Sequence, residues 1–258
     1  MVILLSNPWI IFMAILRPLG ICLVFPLLGT RILGSAFVRN GLILALSLPV
    51  IPLYIDQHPL VTIEDINTGF ILQEIVIGIL IGFVVALPFW ALDSAGYIID
   101  TIRGSSIGFV LNPSLGEAAS VLGIIFVQLF IALFFMHGGL NHVLSILYRS
   151  WQIIPPGTPL RPGDQWITLL LAQWRAMMEL CVGFVLPSVA VMVFTDLAIG
   201  LMNRSAQQLN VFFLAMPIKS LMALLMLTMS LLFAFNTYFS YLDRLPQKLG
   251  ELLEAMVK

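Results

Sequence analysis

Charged side chains are scarce in this sequence. Asp, Glu, Lys and Arg make up only 10% of its 258 residues, whereas 60% are hydrophobic and the mean hydropathy is +1.05. A soluble domain is on average about one quarter charged and less than half apolar, so this chain cannot hide its apolar residues in one soluble core. The composition therefore predicts an all-α, membrane-protein-like fold.

An excess of positive charge is also missing. The sequence contains 12 Lys and Arg against 13 Asp and Glu, which gives a formal net charge of -1 at pH 7. A protein that binds nucleic acid needs a basic face to neutralise phosphates. We therefore expect no nucleic-acid partner.

Cysteines and metal-ligand motifs are almost absent. Cys22 and Cys181 lie far apart within apolar runs, so we interpret them as buried thiols and not as a disulfide. His137 and His142 do not share a helix face, and the sequence has neither His-Glu-x-x-His nor the Gly-Lys-Ser/Thr ending of a phosphate-binding loop. We expect no cofactor and no metal site.

Long apolar runs are abundant, and they predict six helical blocks. A helix needs about 20 residues to span a bilayer, and several blocks are long enough to bend or to break into hairpins. Pro18, Pro88 and Pro187 lie inside blocks and favour kinks. The polar residues 243–258 predict a short C-terminal helix or tail on a single subunit, 1–258. The blocks are Pro8–Leu28, Gly41–Ile55, Ile66–Leu92, Ala118–Tyr148, Ile167–Gly200 and Val211–Leu242.

Charge counting gives a conflicting topology for these blocks. A cleaved secretory signal has basic residues ahead of its apolar core, but no Lys or Arg precedes Arg17 here. We therefore expect the first helix to be retained. The positive-inside rule places the loop Thr30–Asn40 in the cytoplasm and the acidic loop Asp56–Asp65 on the other side. Six simple spans would then put the basic C-terminal residues on the wrong side. Either one block is not a single span, or the protein does not sit in lipid as an ordinary bundle.

A short polar stretch lies between two of the longest apolar blocks. It runs from Ile98 to Glu117 and combines charge, glycines and the turn signal Asn-Pro-Ser. A flexible polar loop between hydrophobic walls is a candidate for function. Its candidate residues are Asp100, Arg103, Gly104, Ser105, Ser106, Gly108, Asn112, Pro113 and Gly116.

The same stretch formally matches a serine-hydrolase motif. Gly104-Ser-Ser-Ile-Gly108 fits Gly-x-Ser-x-Gly, and two histidines follow, which makes an intramembrane serine protease an alternative. The motif requires a strained turn that presents Ser106 to a base, and short glycine-serine strings arise often by chance in loops. We therefore expect no catalytic residue and no enzyme activity.

Charged residues within the apolar blocks or at their edges are expensive in lipid, so we expect them to face protein or water and to find partners. Arg175 and Glu179 are four residues apart and can pair along one helix face. Gly78 and Gly82 form a Gly-x-x-x-Gly that permits close helix packing. The charged residues are Arg17, Glu74, Arg175, Glu179, Asp196, Arg204 and Lys219.

One predicted helix, Phe194–Lys219, carries a narrow polar stripe. At about 100° per residue, its polar residues fall on one side while leucines lie outside it. The stripe either lines an aqueous pore or makes hydrogen bonds to a neighbouring subunit. Its candidate residues are Asp196, Gly200, Asn203, Arg204, Gln207, Gln208 and Asn210.

Three separated stretches together resemble one family. They are Ala95–Gly104, then Gly138–His142 leading to Ser150–Gly157, then Asp196–Arg204 with Gln208–Phe213 and Met216–Lys219. Across nearly the whole chain this ordered set resembles the T subunit of the type III secretion export apparatus, related to the flagellar R export-gate protein (the SctT/FliR family).

The resemblance also favours one branch of that family. The flagellar form has a glutamine after the aspartate and a proline before Gln-Leu-Asn, where this chain has Arg103 and Gln207. These differences favour the virulence-type injectisome branch.

The resemblance implies a noncatalytic subunit whose long kinked helices and helical hairpins pack into a helical multi-subunit export gate. Its implied partners are R-type and S-type subunits, the U-type switch subunit and unfolded secreted proteins. Its implied location is the bacterial inner membrane within the secretion basal body, raised toward the periplasm by those partners. The loop from about Gly104 to Ser120 would correspond to the family's plug, which helps to close the resting pore.

A stand-alone transporter of small solutes is the alternative from another class. It predicts a well-behaved monomer or symmetric oligomer with internal repeats. The helical blocks show no convincing repeat.

Overall fold

A computed structural model describes residues 8–52, 68–105, 120–161, 163–205 and 211–257. These residues form helices and connecting turns without a β-strand, which confirms the all-α prediction. Short 3-10 turns cover Pro26–Leu28 and Leu48–Val50. The α-helices are α1 (Pro8–Val24), α2 (Thr30–Leu33), α3 (Ala36–Ser47), α4 (Thr68–Ile102), α5 (Val121–Met136), α6 (Gly139–Ile153), α7 (Asp164–Ser205) and α8 (Val211–Glu254).

Two helix boundaries differ from the sequence blocks because of local capping. The segment Thr30–Asn40 is mostly helical and not a loop, since the Ser35 hydroxyl accepts a hydrogen bond from the Phe37 amide at 3.2 Å and starts α3 there. The fourth block, one of those long enough to bend or to break, forms two helices. Gly138 separates them with a φ of 73°, in the left-handed region that favours glycine.

The polar C-terminal residues do not form a separate helix. They continue α8 without a break as far as Glu254. The reason is an apolar stripe at helical spacing that the charge content obscured. Its buried residues are Leu242, Leu245, Leu249, Leu252 and Leu253.

Within the part of the chain that the structure describes, three helices are long and apolar enough to cross a bilayer, namely Thr68–Ile102, Gln165–Arg204 and Leu214–Leu231. The bent pair α5 and α6 would be a fourth span if it crosses as one. The N-terminal apolar helices, Trp9–Val24 and Ala36–Val50, are shorter. Fewer than six of the described helices are therefore long and apolar enough to span a bilayer, which supports the alternative that not every block is a single span.

The chain forms two compact units. Unit one comprises Met1–Leu87, Gly138–Gln173 and Leu242–Lys258, and unit two comprises Pro88–His137 and Trp174–Tyr241. Helices α4, α7 and α8 contribute residues to both units.

Unit one is built around α1, the first part of α4 and α6. Ile10 and Ile21 of α1, Ile77 of α4 and Trp151 of α6 are almost completely buried. One backbone hydrogen bond joins the connecting segment after α6 to the C-terminal residues: the Arg161 amide donates to the Met256 carbonyl at 2.9 Å.

Unit two has an aromatic core. Phe130 of α5 contacts Phe89 at 4.8 Å and Tyr238 at 5.6 Å between ring centroids, both edge to face. Such pairs contribute about 0.5–1.5 kcal/mol beyond their buried area. The Tyr238 hydroxyl donates to the Leu180 carbonyl at 3.2 Å. Burial raises the pKa of Tyr238 far above its usual value, so this hydroxyl stays protonated and remains a donor.

Candidate functional site

The predicted functional loop begins at a well-defined helix end. The Gly104 amide donates to the Thr101 carbonyl at 3.1 Å, and the Ser105 amide donates to the Asp100 carbonyl at 3.1 Å. Gly104 has a φ of 90°. This pair of bonds with a left-handed glycine is the Schellman motif, which satisfies the last carbonyls of a helix. The described residues of the polar stretch therefore end α4 and form its C-terminal cap.

Asp100 joins that helix end to the start of α5. Its Oδ2 accepts hydrogen bonds from the Ser120 hydroxyl at 2.8 Å and from the Leu122 amide at 3.0 Å. The guanidinium of Arg103 lies 2.7 Å from its other oxygen. Asp100 is only 5% exposed. A carboxylate at a helix N-terminus is stabilised by the free amides and the helix dipole, so Asp100 is held by α5 as well as by Arg103.

Ser120 completes the N-terminal cap of α5. Its hydroxyl oxygen accepts a hydrogen bond from the Gly123 amide at 2.8 Å while its hydrogen points to Asp100. One serine therefore links the cap of α5 to the carboxylate on α4.

Two glycines allow α4 and α5 to approach each other beside this cluster. A Cβ on Gly96 would overlap the backbone nitrogen and Cα of Gly123, and a Cβ on Gly123 would lie 3.0 Å from the Asp93 carbonyl oxygen. The crossing therefore requires glycine on both helices, which sequence analysis did not detect.

The predicted loop residues are only partly described. Asp100, Arg103, Gly104 and Ser105 belong to the cluster above. The remaining candidates lie outside the described residues, and they are Ser106, Gly108, Asn112, Pro113 and Gly116. The described residues on either side of this stretch lie together, because the Ser120 hydroxyl donates a hydrogen bond to Asp100.

The two histidines considered for a protease differ from each other in their environments. The ring of His137 stacks on Phe239 with centroids 4.7 Å apart. Nδ1 of His142 is buried and has no hydrogen-bond partner in the described part of the chain. Ser106 lies outside the described residues. Among the residues that the structure places, no group of three His, Cys, Asp or Glu side chains could hold a metal ion.

The polar stripe on α7 is partly described as well. Asp196 forms an ion pair with Lys219 of α8, with 2.7 Å between carboxylate and amine. Gly200, Asn203 and Arg204 are exposed. The stripe residues outside the described part are Gln207, Gln208 and Asn210.

Gly78 and Gly82 lie where α4 crosses α1. A Cβ on Gly78 would overlap the Arg17 carbonyl oxygen and lie 2.9 Å from the Cα of Gly20. A Cβ on Gly82 would lie 2.9 Å from the Ile21 carbonyl oxygen. Backbone packs on backbone here, and Gly20 is a partner that the Gly-x-x-x-Gly pattern did not reveal.

Residues 9–245 match the family described as "Bacterial export proteins, family 1". The match covers nearly the whole chain. The chain belongs to this family.

Several relatives in the family align over most of their length. The chain is 41% identical over 242 residues to the "Secretion system apparatus protein SsaT" of Salmonella typhimurium, which covers 92% of this chain and 93% of that protein. It is 34% identical to the "Yop proteins translocation protein T" of Yersinia pestis over 87% of both chains. The "Flagellar biosynthetic protein FliR" of Bacillus subtilis is 28% identical over 67% of this chain and 68% of its own.

The structure also contains a buried polar cluster whose contacts the sequence did not predict. Arg17 of α1 and Glu74 of α4 are completely buried and form an ion pair, with 3.0 Å between Nη2 and Oε1. The guanidinium also donates to the Ser150 hydroxyl at 3.1 Å and to the Ile154 carbonyl at 2.6 Å. It lies 5.3 Å from the ring of Trp151. One arginine therefore connects three helices of unit one.

Proposed function

We propose that this chain is a noncatalytic subunit of the export gate of a type III secretion system, where it lines and plugs the channel for unfolded secreted proteins. The observation that carries the proposal is the 41% identity to a secretion system apparatus protein over 92% of this chain. The relatives named for secretion and translocation are more similar than the flagellar one, at 41% and 34% against 28%. This difference supports the injectisome branch that Arg103 and Gln207 favour.

The proposed partners are the R-type, S-type and U-type subunits of the same apparatus. The apolar stretch Leu214–Leu231 of α8 supports such an assembly, because only 11% of it is buried within this chain. An uncovered apolar helix requires either lipid or other helices. We place the protein in the bacterial inner membrane within the secretion basal body, raised toward the periplasm by its partners.

Copurification tests this proposal. The full chain with an affinity tag, coexpressed with the R-type and S-type subunits and extracted in detergent, is expected to bring both subunits down in a fixed ratio. The small-solute transporter alternative predicts a stable monomer or symmetric oligomer without them. Recovery of the tagged chain alone, from cells that contain both other subunits in the membrane, would reject the export-gate assignment.

Within this function we propose that the segment from Gly104 to Ser120 is the plug. The contacts of the described residues at the two ends of this segment support the proposal. Asp100, Arg103 and Ser105 interact at the end of α4, and Asp100 accepts a hydrogen bond from Ser120, which caps α5. A movable stopper needs a fixed attachment at both ends, and this cluster provides one.

Deletion of residues 105–113 is expected to make the resting channel leaky to small solutes without preventing assembly. The deletion places Ser114 directly after Gly104 and leaves six residues before Ser120. Those residues reach about 20 Å, which is ample because Ser120 is bonded to Asp100 one helical turn from Gly104. The measurement is uptake of a small polar dye by cells that contain the assembled complex.

Ser106→Ala is the matched control for this deletion. It is expected to leave permeability and secretion unchanged, whereas the serine-protease alternative predicts that this one substitution abolishes function. An assembled complex with the deletion and with wild-type permeability would show that the segment is not the plug.

We propose that the polar stripe on α7 faces a partner subunit. Asp196 is already neutralised by Lys219, while Asn203 and Arg204 remain exposed on the same helix. Interhelical hydrogen bonds in membranes use such side chains.

A further inference from the structure

The contacts of the Asp100 carboxylate are divided between two helices. Its Oδ1 pairs with Arg103, which follows three residues later at the end of α4, at 2.7 Å. Its Oδ2 accepts hydrogen bonds from the start of α5, from the Ser120 hydroxyl at 2.8 Å and from the Leu122 amide at 3.0 Å. All four residues belong to unit two. We call the two hydrogen bonds that Oδ2 accepts the α4–α5 latch.

Each helix keeps its own terminal contacts if the latch opens. Asp100 stays paired with Arg103 on the same helix, so the carboxylate does not lose its counter-charge. Ser120 still accepts a hydrogen bond from the Gly123 amide and caps α5. The capping bonds at the end of α4 do not depend on α5 either. Opening therefore breaks two hydrogen bonds without separating the ion pair.

The buried ion pair of unit one is built differently. Arg17 lies on α1 and Glu74 on α4, and both are completely buried. Separating those two helices would leave two buried charges unpaired, which is strongly unfavourable. A hydrogen bond to a charged group changes an equilibrium by only about one to two orders of magnitude. The α4–α5 latch is therefore weak enough to open reversibly, whereas the contact between Arg17 and Glu74 is a permanent joint.

We propose that the α4–α5 latch holds the start of α5 on the end of α4 in the resting channel and opens reversibly during export. The inference rests on the proposed plug, because the latch joins the described residues on either side of that segment. It adds the contact that regulates the plug: the attachment is closed at rest, and it can be released without unpairing the carboxylate or uncapping α5. Asp100 and Ser120 are the positioning residues of this device.

Two substitutions of nearly equal size at Ser120 test the latch. Aspartate and asparagine cap a helix about as well as serine does, so both preserve the start of α5. The asparagine amide can donate to Asp100, whereas the aspartate carboxylate has no donor and repels it. We expect Ser120→Asp to raise the resting uptake of a small polar dye by about tenfold or more, and Ser120→Asn to retain most of the wild-type barrier.

The reciprocal exchange supplies a rescue. In Asp100→Asn/Ser120→Asp the donor and the acceptor trade places, so we expect dye uptake to return close to the wild-type level. Thr101→Ala is the control, because this exposed neighbour of Asp100 donates within α4, to the Tyr97 carbonyl at 2.8 Å. Uptake is compared at equal amounts of copurified complex. A role of Ser120 in capping alone would make its Asp and Asn variants alike and would give no rescue.

The deletion of residues 105–113 separates this inference from the proposed function. If the deletion makes the assembled channel leaky and Ser120→Asp does not, the latch is wrong, although the plug assignment stands. If neither variant raises permeability in assembled complexes, the plug assignment fails and the latch fails with it.

Hydrogen exchange in the unchanged chain decides the case in which the Ser120 variants do not assemble. In the resting complex the Leu122 amide donates to Asp100, so it is expected to exchange slowly. In a complex that holds a secreted protein stalled in its channel, we expect this amide to exchange at least about tenfold faster. Equal exchange in the two complexes would overturn the inference.

Discussion

Glu74→Leu is expected to lower the free energy of unfolding by about 3–5 kcal/mol, because it leaves the guanidinium of Arg17 buried without its carboxylate. Arg17 and Glu74 are both 0% exposed. The other groups that contact the guanidinium are the Ser150 hydroxyl, the Ile154 carbonyl and the Trp151 ring, and none of them carries a negative charge. Loss of the carboxylate therefore cannot be compensated in place.

Thermal unfolding of the detergent-solubilised chain measures this effect. A loss of this size corresponds to a decrease in Tm of roughly 6–20 °C for a chain of this length. Glu251→Gln changes an exposed carboxylate near the end of α8 and is the control, with an expected change within about 0.5 kcal/mol.

A double variant separates charge from packing. Arg17→Met/Glu74→Leu removes both charges at similar volume and is expected to recover much of the lost stability, because buried ion pairs are often replaceable by apolar side chains. A double variant no more stable than Glu74→Leu would show that shape, and not the unpaired charge, causes the loss.

The sequence was sufficient to predict that these charges need partners, but not to identify them. Arg17 and Glu74 are conspicuous as charges in apolar runs, yet they are 57 residues apart, and no local spacing connects them. The same holds for Asp100, which the sequence marks as a candidate while its bonds to Ser120 and Leu122 come from the far side of the loop. Pairings between distant helices depend on tertiary packing, which periodicity does not encode.

Local sequence patterns were also insufficient where two features of the same segment favoured different structures. The last residues of α8 are polar enough to read as a tail, but the buried Leu245 and Leu249 continue the helix. At Arg175 and Glu179 the spacing favours a pair, yet the structure leaves both unpaired. An intrahelical pair contributes only about 0.2–0.5 kcal/mol, which is too little to fix two long side chains.

The family resemblance, by contrast, rested on an ordered set of stretches, and the match over residues 9–245 confirms it.

Gly78→Ala is expected to destabilise unit one by about 1–3 kcal/mol, although alanine is the better helix former. The new Cβ would overlap the Arg17 carbonyl oxygen and approach the Cα of Gly20 at 2.9 Å. Both are backbone atoms, so no side-chain rotation relieves the overlap, and α1 has to move away from α4. Gly183→Ala on α7 is the matched control: no atom lies within 4 Å of the added Cβ, and the substitution should stabilise by up to about 1 kcal/mol.

The glycine contact and the ion pair should be energetically coupled. Gly78 and Glu74 are one helical turn apart on α4, and both face Arg17 or its backbone on α1. Moving α1 to accommodate the added methyl group also draws the guanidinium away from Glu74, so part of the cost of either substitution is shared. We therefore expect the loss of stability in Gly78→Ala/Glu74→Leu to fall short of the sum of the single losses by about 0.5–3 kcal/mol, as contacting residues do. Thermal unfolding of the four proteins measures this coupling, and strictly additive losses would mean that α1 yields to the new methyl group without disturbing the ion pair.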